Sequence, residues 1–347
     1  MTYKNFLNRS DHTRVFLIAE AGVNHENSLD DAKKMIELAA KAGCDAIKFQ
    51  TYKADQISSK LAKSYWDTNA EIETNQHQLF SKYDKFEFED YVELKKHCDD
   101  QNIEFSTTVF DHNEISKYSN ILSFFKIASA DISNLPLLRA IAKEKKPVII
   151  STGASSIGEI EFAVNLFSNQ GINTSILHCV LNYPCRAEDA SLKKIKYLKK
   201  VFPNKIIGYS DHVAITHDNL HLHTARLLGA RIIEKHFSLD KSKKGNDHYH
   251  SFEYKDIIKY RDEEKFISKL INNNYLDLTS QTTAIENARR SIVAKRKIKK
   301  NEKIDYSNIE IKRPGTGISP LYLDDVLGMI VTKEISEDEP IKWEDFK

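Results

Sequence analysis

The sequence predicts a (β/α)8 barrel followed by a small β-rich unit. Eight short apolar, β-branched runs recur over about 220 residues with helical stretches between them, their apolar character is continuous rather than alternating, and the rhythm stops near residue 272. Continuous apolar strands are buried on both faces, as in a parallel sheet covered by helices. Eight strand-helix units fit a barrel of about 250 residues, and a doubly wound open sheet is the alternative arrangement.

The runs are VFLIAEAG (15–22), AIKFQT (46–51), IEFSTTVF (103–110), FFKIASAD (124–131), PVIISTG (147–153), SILHCV (175–180), KIIGYSDH (205–212) and RIIEKHF (231–237). After the first, Ser28 with Asp31 forms a capping signal, Met35, Leu38, Ala39 and Ala42 repeat at helical spacing, and Gly43 ends the run. Ser155 or Ser156 likewise precedes a helical run through Ile160, Val164 and Phe167 that stops near Gly171. The stretch from Thr51 to Ile103 is about twice the usual spacing, polar and Lys-rich, and reads as an extended loop over the barrel mouth, a candidate lid. Beyond Ile271 the polar segment 273–286 reads as a linker between a barrel at 1–272 and a second domain at 287–347. That domain has short strand-like pieces and a small core. Its basic run from Arg289 to Lys300 reads as a solvated strand face more than a nucleic-acid surface, since Glu334 to Asp345 balances it.

Composition narrows the class. The 347 residues carry 51 Lys plus Arg against 50 Asp plus Glu, with 41% hydrophobic residues, 11 Gly and 7 Pro, which excludes disordered, collagenous and phosphate-coating chains. The N-terminal stretch lacks the apolar core of a signal peptide, and no apolar run reaches the roughly 20 residues of a membrane span. Cys44, Cys98, Cys179 and Cys185 lack CxxC spacing and read as reduced thiols, consistent with a cytoplasmic protein.

In such a barrel, polar residues at the C-terminal strand ends face the active site. The eight ends offer Glu20; Lys48 and Gln50; Ser106 and Thr107; Lys126, Ser129 and Asp131; Ser151 and Thr152; His178; Ser210, Asp211 and His212; and Glu234 and His236. Two lysines among several hydroxyls can neutralise a phosphate plus a carboxylate, so an anionic substrate is expected; the alternative is that each lysine pairs with an interior carboxylate and binds nothing. His212 and His236 on adjacent strands suit a catalytic divalent metal that acts as a Lewis acid on a carbonyl, with Glu234 and Asp211 as supporting carboxylates. His217 and His221, at i and i+4 on an expected surface helix, lack a metalloprotease glutamate and read as bland. The GNDHYH loop after the eighth strand places Asp247, His248 and His250 at the mouth, in reach of substrate.

IAEAGVNHENSL, IKFQT, FKIASADISN, STGAS, HCVLNYP, GYSDH, IEKHFSLDK and the distal KRPGTG resemble, in order and spacing, the nonulosonic acid synthases, which make N-acetylneuraminate (sialic acid), legionaminate and pseudaminate. The resemblance covers nearly the whole chain and implies a TIM barrel followed by a small domain of the type III antifreeze (SAF) kind, in a domain-swapped homodimer. It implies a transferase that condenses phosphoenolpyruvate with an open-chain N-acetylmannosamine-type sugar: C3 attacks the aldehyde, water adds at C2, and phosphate leaves with C–O cleavage. By matching motif, Lys48, Gln50, Thr107, Lys126, Ser129, Ser151 and Ser210 would hold phosphoenolpyruvate. His212 and His236 would bind Mn2+, with Mg2+ or Co2+ as alternatives. Glu20 would bind the sugar and orient the water, Asp131 would assist near the reacting centre, Tyr183 and Asp247 would contact the sugar, and Arg313 would reach it across the dimer.

The chain departs from the neuraminate synthases after His178-Cys179, where Val180 and Leu181 stand in place of a polar pair; Asn182 is the expected substitute for the lost phosphoenolpyruvate contact. Many relatives are less His-rich where this chain has GNDHYH. The acceptor is therefore open between N-acetylmannosamine and a diacetamido-trideoxyhexose, as in legionaminate or pseudaminate synthesis. Two further readings are a Schiff-base aldolase using Lys126 or Lys48 and a non-catalytic sugar-binding barrel.

Overall fold

The computed structural model describes residues 1–9, 14–69, 71–214, 218–245, 247–271 and 277–347. The chain divides into two compact units, Met1–Leu270 and Ile271–Lys347.

The first unit is built on eight strands: β1 Phe16–Gly22, β2 Ala46–Thr51, β3 Glu104–Val109, β4 Phe125–Ile127, β5 Val148–Ser151, β6 Thr174–Cys179, β7 Ile206–Asp211 and β8 Ile232–His236. All pairings are parallel, in the order β3-β2-β1-β8-β7-β6-β5-β4, and the terminal strands β3 and β4 pack side by side, giving the near-closed barrel the sequence predicts. β4 is shorter than its apolar run, because Ser129–Asp131 turns into a 3-10 helix.

Two cores flank the strands. Phe16, Ile18, Ala46, Phe124, Ile149, Leu177 and Ile232 fill the barrel interior, joined by Tyr3 and Phe6 of the helix Tyr3–Leu7, whose Tyr3 hydroxyl meets Ser175 Oγ at 2.7 Å. Leu17, Ala19, Ile47, Phe49, Phe105, Ile150, Ile176, Ile207 and Ile233 belong instead to the layer between strands and helices. Since successive strand residues alternate faces, this parity decides which polar residues reach the barrel mouth. Register then aligns them: Glu20 lies beside Lys48 on one side and His236 on the other, and Ser210 lies beside Glu234.

Local signals set the helices. Ser28 Oγ accepts from Asp31 N to start Leu29–Ala42, which ends on Gly43 at φ 93°, a left-handed conformation that glycine adopts without strain. Ser156 and Glu159 form a reciprocal capping box at the head of Ile157–Ser168. The long stretch after β2 is more structured than a plain loop. It contains the short helix Ala54–Ile57, a Lys63–Asn75 bridge and the helix Gln76–Tyr83 before the barrel helix Phe88–Asp100.

In the second unit β9 (Ser291–Ala294) pairs antiparallel with β10 (Ile309–Lys312), over a core that includes Ile292, Ile298, Ile304, Val326, Val331, Ile335 and Ile341. The basic run does not alternate as a strand face: residues 291–294 are all buried, and Lys295, Arg296 and Lys297 are exposed in the turn that follows, where Arg296 pairs with Glu302 and Lys297 with Glu334. The segment expected as a linker lies partly outside the described residues, at 273–276; from Thr279 it forms a 3-10 turn and then the helix Thr282–Ala288. Among the described residues no helix is long and apolar enough to cross a membrane.

Candidate active site

At the C-terminal end of the barrel lies a buried charge cluster. Lys48 Nζ stands 2.5 Å from Glu20 Oε2 and 4.0 Å from Glu234 Oε1, and Lys126 Nζ is 3.6 Å from the same Glu234 oxygen. Both lysines thus pair with interior carboxylates, and the four formal charges cancel. Lys126 also donates to Ser151 Oγ at 2.7 Å, Lys48 to Thr108 Oγ1 at 3.3 Å, Ser210 Oγ to Glu234 Oε1 at 3.0 Å, and Gln50 Nε2 to Glu20 Oε1 at 2.9 Å. Burial raises the Glu20 carboxyl despite Lys48, whereas at Glu234 the two lysines overcome burial and lower it. Lys126 is lowered, chiefly by burial and also by Lys48; for Lys48 burial is outweighed by Glu20 and Glu234, and it is raised. Glu234 therefore sits between the lysines rather than behind the histidines.

Ser129 Oγ accepts from Gly153 N at 2.9 Å, and a Cβ on Gly153 would stand 2.9 Å from that oxygen and 3.1 Å from Leu181, so the β5 loop approaches this closely only with glycine. Asp131, raised by burial against the opposing hydrogen bond from Asn134, lines the cavity above.

Strand parity corrects three assignments. Thr107 faces outward and pairs with Thr51 Oγ1 at 2.7 Å, so Thr108 is the β3 hydroxyl that meets Lys48. His178 also faces outward, bonded to Ala190 O at 2.7 Å and stacked on Tyr209, which leaves Cys179 as the β6 residue turned inward, 3.8 Å from His212 Nδ1. Asp211 points away from the metal side: its carboxylate meets Lys235 Nζ at 2.6 Å, His221 at 2.9 Å and the Tyr209 hydroxyl at 2.8 Å. His221 is thus an inward-facing partner of Asp211 rather than a bland surface residue, and His217 lies outside the described residues. Asn182 is exposed, and Leu181 rather than Asn182 lines the cavity.

His212 and His236 face each other with ring centroids 5.4 Å apart, and Tyr183 lies 4.1 Å from the His212 ring. His212 Nδ1 is bonded to Val180 O at 2.7 Å, which leaves Nε2 for a ligand and is the usual outer-partner arrangement of a metal-bound histidine. His236 Nδ1 is buried without a hydrogen bond, 3.4 Å from Asp247 Oδ2. Burial, then His250 and His212, hold the His236 imidazole well below its ordinary range, so it is neutral at pH 7 as a ligand must be. Burial pushes the Asp247 carboxyl up to about 7 in spite of His212, with Glu20 adding to the rise. The unengaged Nε2 of His212 and Nδ1 of His236 are two imidazole donors that fit a divalent cation.

Above the charge cluster opens a cavity of about 500 Å³. Tyr52, Tyr65, Trp66, Leu79, Phe80 and Tyr83, all from the long stretch after β2, form one wall; Glu71 of the same stretch and Asp247 contribute carboxylates. Glu71, buried at 4% exposure, was not foreseen from the sequence, nor were the aromatic positions, whose only signal was the excess length of that stretch.

The sequence profile described as the NeuB family matches residues 35–274, and that of the SAF domain matches 289–347. The chain belongs to the NeuB family. It is 39% identical to the N,N'-diacetyllegionaminic acid synthase of Campylobacter jejuni, over 95% of this chain and 99% of that one. To the pseudaminic acid synthase of the same species it is 32% identical, over 96% and 97%. A solved N-acetylneuraminic acid (sialic acid) synthetase of Leptospira borgpetersenii, in complex with citrate, is 35% identical, with a TM-score of 0.70 over 79% of this chain and 91% of that one. NeuB-family synthases use phosphoenolpyruvate in a condensation, a transferase reaction. Arg313 of this NeuB-family chain lies just after β10, in the second unit.

Proposed function

We propose that the chain condenses phosphoenolpyruvate with an open-chain 2-acetamido sugar to give a nonulosonic acid and phosphate. The observation that carries this reading is the pair of buried lysines set among hydroxyls beneath an aromatic cavity. Lys126 and Lys48 would receive the phosphate and carboxylate of phosphoenolpyruvate, helped by Ser129, Ser151 and Thr108, with Lys126 turning from Glu234 to the anion while Ser210 keeps donating to that carboxylate. C3 of phosphoenolpyruvate attacks the sugar aldehyde carbon. Asp247, beside His236 at the mouth, would contact the sugar, and the aldehyde oxygen takes up a proton as the bond forms. Glu20, held by Gln50 and Lys48, orients the water that adds at C2, and phosphate departs as the C2–O bond breaks. A divalent ion held by His212 and His236 would supply Lewis acidity to the aldehyde; Mn2+ is the expected ion. Arg313 would reach the sugar across a domain-swapped homodimer in the cytoplasm.

The acceptor is read from the cavity wall. Tyr65, Trp66, Leu79, Phe80, Phe110 and Leu181 give one side of an otherwise polar cavity an apolar face against which methyl and N-acyl groups can pack. That favours a 6-deoxy, twice-acylated acceptor, the legionaminate-type alternative, over N-acetylmannosamine. The test is phosphate release from phosphoenolpyruvate with Mn2+, run against 2,4-diacetamido-2,4,6-trideoxymannose and N-acetylmannosamine, with mass spectrometry of the product. Release dependent on the first sugar is expected. Preference for N-acetylmannosamine would refute the acceptor assignment, and release with neither, or borohydride trapping of a pyruvate imine, would refute the synthase reading.

A further inference from the structure

His250 is the residue that no step above uses. It is fully buried, and neither ring nitrogen has a hydrogen-bond partner among the described residues. A buried polar group left unpaired costs on the order of 1–3 kcal/mol, and here the unpaired ring stands among other metal-ligating side chains. Its surroundings are specific: the ring centroid lies 4.8 Å from that of His236, 6.2 Å from that of His212 and 5.7 Å from that of Tyr183. Nε2 stands 3.8 Å from Asp247 Oδ1, while the other oxygen of that carboxylate faces His236 Nδ1 at 3.4 Å. Both distances exceed a hydrogen bond. They are close to the spacing a shared ion would impose, because donors about 2.1 Å from a tetrahedral cation stand roughly 3.4 Å from one another. One donor atom each from His236, Asp247 and His250 lies within 4.8 Å of the others.

We infer that His250 is a metal ligand: with His236 and Asp247 it forms a three-donor divalent-cation centre at the barrel mouth, which His212 borders as a further imidazole. The inference rests on the reading of this mouth as metal-dependent. The extra imidazole changes the chemistry of the centre. Nitrogen donors outnumber the carboxylate, and imidazole favours Co2+ and Zn2+ where carboxylate and water favour Mn2+. The loop is built to present the residue. His248 Nδ1 meets Ser238 Oγ at 2.7 Å and Asn24 Nδ2 donates to Ser251 Oγ at 3.2 Å, so the residues on either side of Tyr249-His250 are tied to β1 and β8 neighbours.

The test uses the full-length, metal-stripped protein as wild type, His250→Gln, His250→Ala and His212→Ala. Circular dichroism first establishes folding, and the Gln variant carries the test if the Ala variant does not fold. Co2+ is titrated by visible absorption, Zn2+ and Mn2+ by calorimetry, and phosphate release is followed in parallel. We expect loss of His250 to weaken Co2+ and Zn2+ binding by at least the roughly 10- to 100-fold that loss of a mere outer partner costs, to weaken Mn2+ less, and to alter the Co2+ ligand-field bands. Equal Co2+ and Zn2+ affinity in wild type and His250→Gln, with His212→Ala impaired, would overturn the role of His250 and leave the synthase reading intact. A wild type that binds none of the three ions would overturn both the centre and the metal role. Metal binding lost with His250 while no acceptor releases phosphate would sustain the centre and refute the synthase reading.

Discussion

His25, in the turn that follows β1, offers a quantitative check on how burial tunes this barrel. It is 1% exposed, stacks on Phe86 with centroids 4.3 Å apart, and neither ring nitrogen has a hydrogen-bond partner among the described residues. Burial, opposed only weakly by Glu26, lowers it from 6.5 to about 4. A lowered histidine makes the unfolded chain the better proton binder between those two values, so stability is complete above about 6.5 and falls as pH drops towards 4. The linkage integral gives a loss of roughly 2 kcal/mol between pH 7 and pH 5, and about 3 kcal/mol by pH 4. His25→Phe keeps the ring packing and removes the two unpaired nitrogens, so at pH 7 it should change stability by less than about 1.5 kcal/mol. At pH 5 it should be more stable than wild type by about 2 kcal/mol relative to that pH 7 difference. The assay is urea unfolding followed by far-ultraviolet circular dichroism at pH 7, 6 and 5 on both proteins. Subtraction removes the other titrating histidines and the C-terminal unit, which the substitution does not touch. Parallel pH profiles for the two proteins would refute the argument that an unpartnered, buried His25 resists protonation.

Other substitutions probe the mouth. Lys126→Met removes a charge-assisted contact worth about 1.5–3 kcal/mol, so kcat/KM for phosphoenolpyruvate should fall roughly 10- to 150-fold with little change in acceptor KM; equal rises in both KM values would count against the anion role. Lys235→Met leaves the Asp211 carboxylate buried without its 2.6 Å cation and should cost about 3–5 kcal/mol of stability while weakening Co2+ binding, and an unchanged melting temperature and titration would refute the role of this ion pair in holding the strand ends. Trp66→Ala should raise acceptor KM by about tenfold, as about 1.4 kcal/mol of lost contact implies, with phosphoenolpyruvate KM unmoved. Arg313→Ala should likewise impair use of the sugar far more than use of phosphoenolpyruvate in steady-state phosphate release, and equal losses would argue against its contact with the sugar.

The barrel was legible because eight apolar runs of similar length allow few other arrangements, and β2 begins and ends where its run does. The face each residue occupies was not. A strand buried on both sides shows no polar-apolar alternation, so nothing in STTVF says that Thr108 rather than Thr107 turns inward, or in LHCV that Cys179 does so rather than His178. Phase came instead from the tertiary packing of Phe105, Val109 and Ile176 against the helices. The aromatic wall of the cavity was hidden for another reason: Tyr65, Trp66 and Glu71 lie in an irregular excursion that is joined to the helix bearing Phe80 through the Lys63–Asn75 bridge and contacts such as Trp66 Nε1 to Glu73 O at 3.0 Å. No periodicity announces that geometry.

The same alternation explains why charged residues crowd β7 and β8 on both faces. His212 and His236 turn inward, while their chain neighbours Asp211 and Lys235 turn outward and join each other at 2.6 Å, with Lys235 also donating to Val213 O at 2.7 Å. A buried pair of that kind adds little net stability over an apolar pair, yet here it ties together the strand ends that carry two inward imidazoles. An apolar pair would hold the strands without fixing the rotation of their last residues, whereas a salt bridge bonded in addition to His221, Tyr209 and the Val213 carbonyl fixes it from several directions. The placement of His212 against His236 is thus a property of the outer face of the sheet, and conservative changes there, such as Asp211→Asn, should disturb metal binding before they disturb the fold.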